Sequence, residues 1–355
     1  MKHVNGTSQI ILGDPGKFYG WPGLTCTPEG GLIAVVSGNR LGHVCPFGQT
    51  LLVRSGDRGK RWSRPQVIVN TPLDDRDPGI LATRDGTLVV TWFTSLAYEH
   101  VDPRSELGPG FVRKWNRKVR SITDADKKRW LGNWSIRSTD GGHTWEDPVS
   151  TIVTAPAGGI ELSDGRLLMI GNAVLDGNEV VAASESKDKG RNWSVISVLR
   201  VQKDPQKVYF CEPHLAETTQ GRLVAHFRYD TWNNFDEDIA WQSESDDGGH
   251  TWAELHPTPI HGHPQHLLRL RNGWLLDTHG YRHVPFGQRA CISRDGGQTW
   301  DVENELVIRD DGPQSDLGYP ATAQLPDDSL YTVYYQSTRR NPLCTLMGTH
   351  WRLEE

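Results

Sequence analysis

The chain of 355 residues contains 37 Gly, 21 Pro and 14 Trp beside 36% apolar residues, which indicates a globular, turn-rich protein. Its formal net charge of −6 gives no reason to expect nucleic acid or an anionic membrane as a partner. No apolar run approaches the roughly 18–20 residues of a membrane span. Residues 1–16 also lack the continuous apolar segment of a secretory signal. We therefore expect a cytoplasmic protein, or a secreted one whose leader has been removed.

Five cysteines are scattered along the chain without C-x-x-C spacing: Cys26, Cys45, Cys211, Cys291 and Cys344. An odd number at irregular intervals indicates neither a disulfide framework nor a zinc site. Buried free thiols are the expected state.

The pattern S-x-D-x-G-x-x-W occurs five times, at 55–62, 138–145, 186–193, 245–252 and 293–300. Its Asp can accept backbone N–H bonds within the turn, its Gly allows positive φ, and its Trp can pack over the turn. Each copy therefore predicts a self-stapled hairpin turn.

A second pattern, a short polar turn followed by Leu, occurs six times: EGGL (29–32), DGTL (85–88), DGRL (164–167), QGRL (220–223), NGWL (272–275) and DDSL (327–330). Most intervals are near 55 residues, and the longest one contains a polar, basic insertion around 98–133. Six units of four short strands predict an all-β, six-bladed β-propeller, formed by one domain over residues 1–355. A β-sandwich would fit the strand content but not a repeat of this length. The insertion is either a solvated excursion or a lid.

Each unit carries an X-Pro pair about nine or ten residues before its turn. Proline is tolerated at the first residue of a strand, so we expect each pair to begin the innermost strand of its blade. The six X residues would then surround one mouth of the central channel: Trp21, Asp77, Ala155, Glu212, His263 and Tyr319.

In three units an arginine follows on the next strand: Arg40, Arg228 and Arg282. Guanidinium groups bind planar anions through paired hydrogen bonds, so three of them at one mouth predict a carboxylate or phosphate clamp. The alternative is that they form salt bridges with Asp77 and Glu212.

At these residues the chain resembles the sialidase (neuraminidase) superfamily, in which the five-copy turn is called the Asp-box. The resemblance implies a tyrosine nucleophile at Tyr319, in GYPATAQLPDDSLYTVYY, with Glu212 as its partner. It also matches Arg228 and Arg282 to two arginines of the family's carboxylate triad. Arg40 matches another arginine of the funnel, and Asp77 matches an aspartate of the substrate pocket.

Three departures from the family pattern indicate a remodelled pocket. GWPGL offers Trp21 and no arginine where the family's first triad arginine belongs, and VYYQ places Tyr335 or Gln336 where the glutamate that steadies it belongs. The loop LGHVCPFG lacks the expected acid/base aspartate and offers His43 instead. Strict sialic acid hydrolysis therefore does not follow from the resemblance.

Other roles stay open for the funnel residues. Tyr319 and Glu212 form either a nucleophile and base or a buried hydrogen bond that closes the channel. Asp77 is either an acid/base or a ligand for sugar hydroxyls. Further expected substrate contacts are His263, Trp21 and Tyr281. The run HGHPQH (261–266) is a poor metal site, because adjacent strand residues face opposite sides.

Together with these residues, the resemblance to sialidases implies an exo-acting glycoside hydrolase that releases a terminal acidic sugar, such as sialic acid or a related ulosonic or uronic acid, from a glycan or glycoconjugate. No cofactor or metal is required by this chemistry. One alternative is a polysaccharide lyase or hydrolase that uses His and Tyr at a uronic acid. A second is a non-catalytic carbohydrate-binding propeller.

Overall fold

The computed structural model describes residues 1–104, 109–199, 208–231 and 238–354. Six sheets, antiparallel except for one short parallel pair at the N-terminus, surround one axis, which confirms the six-bladed β-propeller. Two strands near the N-terminus join the last two blades, β1 (Lys2–His3) beside the outer strand of blade 5 and β2 (Asn5–Leu12) as the outer strand of blade 6. Blade 1 contains β3 (Phe18–Cys26), β4 (Leu32–Arg40), β5 (Gln49–Ser55) and β6 (Gln66–Val69).

The other blades follow in chain order, four strands at a time. Blade 2 contains β7 (Asp74–Ala82), β8 (Leu88–Ser95), β9 (Asn133–Ser138) and β10 (Val149–Ser150), and blade 3 contains β11 (Ile160–Glu161), β12 (Leu167–Leu175), β13 (Asn178–Ser186) and β14 (Ser194–Leu199). Blade 4 contains β15 (Val208–Glu217), β16 (Leu223–Thr231), β17 (Ile239–Ser245) and β18 (His256–His261). Blade 5 contains β19 (Gln265–Arg269), β20 (Leu275–Tyr281), β21 (Phe286–Ser293) and β22 (Leu306–Gly312), and blade 6 contains β23 (Leu317–Gln324), β24 (Leu330–Gln336) and β25 (Thr345–Arg352).

The insertion lies between β8 and β9 and is helical. It contains a 3-10 helix (Ala97–His100), α1 (Pro109–Ser121) and α2 (Asp124–Trp130). A capping box begins α2: the Thr123 side chain accepts from the Asp126 N–H, and the Asp126 carboxylate accepts from the Thr123 N–H. No helix in the described ranges is long and apolar enough to cross a membrane.

The five S-x-D-x-G-x-x-W turns connect the third and fourth strands of blades 1 to 5. In every copy the Ser Oγ donates to the Asp Oδ1 over 2.7–2.9 Å. The same Oγ accepts from the Gly N–H over 2.7–2.9 Å. In blade 6 the third and fourth strands are β25 and β2, which lie far apart in sequence, so no such turn joins them. Five turns therefore serve six blades.

Apolar layers fill the spaces between neighbouring blades. The layer between blades 6 and 1 is typical, and its buried members include Leu24, Val36, Leu51, Leu325 and Val333. Burial of each such side chain contributes roughly 1.5–3 kcal/mol. The five cysteines are free thiols, of which Cys26 alone is only half-buried.

The X-Pro pairs do not begin the strands, which corrects the prediction for most blades. Trp21, Asp77, Glu212 and Tyr319 lie inside β3, β7, β15 and β23, at points where the pairing with the next strand shifts register. A bulge tolerates proline because the ladder is already interrupted there. In blade 5 the pair ends just before β19, and in blade 3 Ala155 precedes β11 by several residues.

Candidate active site

The X-Pro pairs nevertheless gather around the propeller axis. Residues from blades 1, 3, 4, 5 and 6 line one small axial cavity: Pro22, Pro156, Ala157, Glu212, Pro264, Gln265, Tyr319 and Pro320. In blade 2, Pro78 lies beside Gly23 of blade 1, where an added Cβ would come within 3.0 Å of the Pro78 carbonyl oxygen. The repeats therefore bring Glu212, Tyr319 and the prolines of the pairs together around the axis.

Backbone geometry repeats at this mouth. Four residues that precede proline have left-handed φ values, namely Trp21 (55°), Asp77 (49°), Glu212 (50°) and Tyr319 (49°). Such conformations cost on the order of 1–3 kcal/mol each in non-glycine residues and concentrate at functional sites. Together with the bulges, they break the usual alternation of the strands and re-aim the side chains.

Tyr319 and Glu212 form the centre of the site. The Tyr319 hydroxyl donates to Glu212 Oε1, and Arg228 Nη1 donates to Glu212 Oε2 at 2.9 Å. Burial and the Glu212 carboxylate raise the pKa of Tyr319 well above its ordinary value. Burial alone would raise the pKa of Glu212, but Arg228 and the Tyr319 hydroxyl hold it below its ordinary value. Glu212 is therefore an ionised acceptor facing a protonated phenol.

Two residues from blade 5 flank this pair. The Arg282 guanidinium carbon lies 5.9 Å from the Tyr319 ring centroid, and its Nε donates to the Leu317 carbonyl at 3.2 Å. Burial and the guanidinium groups of Arg228 and Arg282 hold the pKa of His263 well below its ordinary value. His263 Nδ1 is shielded from solvent and has no hydrogen-bond partner within the described part of the chain. The ring is therefore neutral, and one of its nitrogens is bonded by no described residue.

A second acid–base group lies on the other side of Trp21. His43 Nδ1 is 3.1 Å from Asp316 Oδ1, and the Tyr335 hydroxyl donates to the same oxygen at 3.0 Å. Burial raises the pKa of Asp316, but the hydrogen bonds from His43 and Tyr335 outweigh burial and keep it low. Because Asp316 is ionised, Nδ1 carries the proton of this contact, and Nε2 is left to exchange a proton with a ligand. The His43 side chain is 48% exposed, so a ligand can reach it.

Arg40 does not join an anion clamp, which corrects the sequence-based assignment. Its side chain is fully buried and binds Asp74 through two parallel hydrogen bonds of 2.6 and 2.9 Å. Its remaining donors contact Ser37 Oγ and the carbonyl oxygens of Gly42 and His43. Arg40 therefore shapes the loop 41–48 that presents His43.

The insertion supports the same loop. Trp115 of α1 is 3% exposed and packs against Cys45 and Tyr98. Phe47 adds to this cluster, with the Lys114 ammonium 5.0 Å from its ring centroid. The insertion is thus not a solvated excursion; it packs against the loop 41–48 and supports it.

Asp77 lies beside an arginine that the sequence reasoning did not single out. Burial raises the pKa of Asp77 to about 6, with Arg76 opposing the shift and Glu212 adding to it. Asp77 Oδ1 has no hydrogen-bond partner among the described residues. The Arg76 Nε is 3.6 Å from that oxygen, and its guanidinium carbon is 4.3 Å from the Trp21 ring centroid.

Two aromatic residues expected to contact substrate are partly or fully covered. Trp21 is 1% exposed, because the guanidinium groups of Arg40 and Arg76 lie within 5 Å of its ring centroid. Its assignment as a direct substrate contact is therefore wrong, and the indole instead packs between these cations. Tyr281 is half-buried, with the Arg289 guanidinium carbon 3.5 Å from its ring centroid.

Sequence reasoning missed Asp316 and Arg76 for different reasons. Asp316 lies three residues before Tyr319 on the same chain segment, so its proximity to the tyrosine gave a usable signal. Arg76 adjoins Asp77, and strand alternation would place adjacent residues on opposite faces. The bulge between Arg76 and Gly79 removes that alternation. Among the described residues, no group of three or more His, Cys, Asp or Glu is arranged to hold a metal ion.

Comparison with known proteins gives matches over most of the chain, although no protein-family model matches it. A sialidase of Bacteroides fragilis (strain YCH46) is 24% identical over 353 residues, covering 89% of this chain and 59% of that protein. A sialidase of Micromonospora viridifaciens is 25% identical over 357 residues, covering 90% of this chain and 50% of that protein. The chain thus spans between half and three-fifths of the length of these relatives.

Solved structures share the fold. A protein of unknown function from Dyadobacter fermentans DSM 18053 superposes with a TM-score of 0.78 at 24% identity and covers all of both chains. The Hadza microbial sialidase Hz136 superposes with a TM-score of 0.66 at 19% identity, over 95% of this chain and 66% of that one. The sequence relatives and the six-bladed fold together make this chain similar to the sialidase-like propellers, with a glycoside-hydrolase-like architecture.

Proposed function

We propose that the protein is an exo-acting glycoside hydrolase that releases a terminal acidic sugar from a glycan or glycoconjugate. The observation that carries the proposal is the hydrogen bond from the buried Tyr319 hydroxyl to an ionised Glu212. A phenol attacks an anomeric carbon only when a base takes its proton, and a glutamate in contact with it supplies that base. Tyrosine nucleophiles are the known exception among glycosidases, with sialidases as the standing example.

In the first step, Tyr319 Oη forms a bond to the anomeric carbon while its proton passes to Glu212. The bond from the anomeric carbon to the leaving oxygen breaks, and that oxygen takes a proton from a general acid. Arg228 stays paired with Glu212 during this step. Its positive charge limits the rise in the pKa of Glu212 that accompanies protonation of that carboxylate. The product is a glycosyl–tyrosine intermediate.

Two groups are placed to donate the leaving-group proton. His43 is exposed and oriented by Asp316. Asp77 has a pKa of about 6, and its Oδ1 has no hydrogen bond to any residue that the structure describes. The departing aglycone reaches solvent, so the exposed His43 is the better-placed donor, and Asp77 would contact sugar hydroxyls. In the second step the deprotonated acid takes a proton from water, and the water oxygen bonds to the anomeric carbon. The bond from that carbon to Tyr319 Oη breaks, and Glu212 returns its proton to Oη.

The test is turnover of nitrophenyl and methylumbelliferyl glycosides of acidic and neutral sugars. We expect hydrolysis of an acidic glycoside, with losses on the order of 10³-fold or more in Tyr319→Phe and Glu212→Gln. The double variant should be little worse than either single one, because both residues serve one step. Tyr334→Phe is the matched control: this buried tyrosine of blade 6 bonds Thr349, away from the site.

Retention of substantial turnover by Tyr319→Phe would refute the mechanism. The His43–Asp316 pair favours one rival, in which an imidazole removes a proton next to the carboxylate of a uronic acid and the glycosidic bond breaks by elimination. An unsaturated product that absorbs in the ultraviolet would identify that reaction. No turnover of any glycoside, combined with saturable sugar binding, would identify a carbohydrate-binding propeller.

A further inference from the structure

Arg76 is a buried cation whose nearest carboxylate does not form a hydrogen bond with it. It is 9% exposed, and its Nε is shielded from solvent with no hydrogen bond to any described residue. Its nearest carboxylate oxygen, Asp77 Oδ1, is 3.6 Å away, which is too long for a hydrogen bond. A guanidinium taken out of water in this state is costly unless something else binds it.

Aromatic faces hold the Arg76 guanidinium in place without using its hydrogen-bond donors. The guanidinium carbon is 4.3 Å from the Trp21 ring centroid and 5.9 Å from that of Phe93. Such contacts orient a planar cation and leave its N–H edge available. The side chain is thus fixed before any ligand arrives, which lowers the entropic cost of binding.

The neighbouring arginines are already engaged. Arg40 is bound on both terminal nitrogens by Asp74, and Arg228 is paired with Glu212. Asp77 is buried beside Arg76, and its Oδ1 has no hydrogen bond within the described part of the chain. Asp77 therefore balances the charge of Arg76 without forming a hydrogen bond to its Nε.

We propose that Arg76 binds the carboxylate of the acidic sugar, acting with Arg282 beside Tyr319. A carboxylate would supply the planar pair of acceptors that no described residue offers to the Arg76 fork. This inference rests on the proposed function and deepens it, because it assigns the recognition of the acidic group to blade 2. The Trp21 ring links the two sites, since it lies 6.4 Å from the Tyr319 ring centroid.

The test is calorimetric binding of N-acetylneuraminic acid and D-glucuronic acid, each compared with its methyl ester. The esters keep the sugar shape and remove the charge, and the two acids separate ulosonic from uronic recognition. We expect the wild type to prefer at least one acid over its ester. Arg76→Gln should weaken binding of that acid at least tenfold and leave the ester unchanged. Arg222→Gln, which removes a surface arginine paired with Asp246, should change neither.

Thermal unfolding keeps the test informative if Arg76→Gln folds poorly. The acid should raise the Tm of the wild type by mass action, and Arg76→Lys, which keeps the charge but not the planar fork, should lose most of that rise. Equal weakening of acid and ester, or an unchanged acid preference in Arg76→Gln, would overturn the proposal. So would a wild type without any preference for an acid. Because these ligands are not turned over, Arg76-dependent binding without hydrolysis would instead count against the hydrolase alone.

Discussion

The hydrogen bond between Tyr319 and Glu212 determines what the phenol can do. Burial raises the pKa of Tyr319, so free ionisation is even rarer than in water, and proton transfer has to accompany the attack. The left-handed backbone at both residues and the bulges beside them bring the two side chains together from blades 6 and 4. Backbone strain of this kind is retained where the surrounding fold fixes the position.

The residue that donates the leaving-group proton can be identified by comparing substrates whose leaving groups differ in how much they need that proton. A residue that protonates the leaving oxygen matters for alkyl glycosides, whose leaving groups are poor, and far less for aryl glycosides, which leave as stable phenolates. We expect His43→Gln to lose on the order of 10²-fold or more in kcat/KM with an alkyl-linked substrate and much less with an aryl glycoside. Asp77→Asn should affect both substrates equally, as expected for a residue that binds the sugar. The opposite pattern would make Asp77 the acid.

Asp77 also predicts a pH dependence of stability. Its folded pKa of about 6 lies above the unfolded value near 3.9, so the folded chain holds the extra proton between these values. The carboxyl therefore does not change the free energy of unfolding below about pH 3.9. Between about pH 3.9 and pH 6 it lowers that free energy progressively, by on the order of 3 kcal/mol in all. The groups that face it are Arg76, Arg40, His43 and Glu212.

Asp77→Asn removes this penalty. Its free energy of unfolding relative to the wild type should rise between pH 4 and pH 7, as measured by denaturant unfolding at each pH. Asp246→Asn, on an exposed turn, is the control. A difference between Asp77→Asn and wild type that stays flat over this range would show that the carboxyl titrates normally.

At the scale of elements, the insertion and the loop 41–48 form one unit. Trp115→Ala should leave a cavity against Cys45 and Tyr98 and cost about 3–5 kcal/mol of local stability. Amide exchange over residues 41–48 should accelerate, and turnover should fall because His43 loses its position. Phe111→Ala in the same helix, where the side chain is 45% exposed, is the matched control. Unchanged exchange in Trp115→Ala would separate the insertion from the site.

Turn elements were the most predictable part of the chain. The serine, aspartate and glycine of each five-copy turn bond one another within six residues, so local chemistry alone specifies the structure. The helices of the insertion were not predicted, since α1 buries its Trp115 against a loop distant in sequence. Contacts between residues distant in sequence also explain why the role of Arg40 was predicted wrongly. Its partner Asp74 is 34 residues away and could not be identified from the spacing of residues.

At the scale of the whole molecule, β2 closes the ring by completing blade 6. It pairs with β25 from Asn5 to Leu12, which unites the two ends of the repeat series in one sheet. Six repeats predicted six blades. The pairing of β2 with β25 could not be predicted from the sequence of either strand, because it depends on closure of the ring.

Removal of residues 1–12 should therefore open blade 6 and expose the edge of β25. We expect a fall in Tm of more than about 5 °C and a tendency to associate through the free edge, measured by calorimetry and size-exclusion chromatography. Removal of residues 1–4, which deletes β1 and leaves β2 paired, is the control. Equal Tm values for the two truncations would show that β2 does not secure the ring.

The most direct test of the Tyr319–Glu212 mechanism is the anomeric configuration of the first product, followed by proton NMR during hydrolysis of the best aryl glycoside. A covalent glycosyl–tyrosine intermediate requires two displacements, so the released sugar should first appear with the configuration of the substrate. Retention in the wild type is the predicted result. Release of the inverted anomer, or of an unsaturated sugar, would contradict the assignment of Tyr319 as nucleophile.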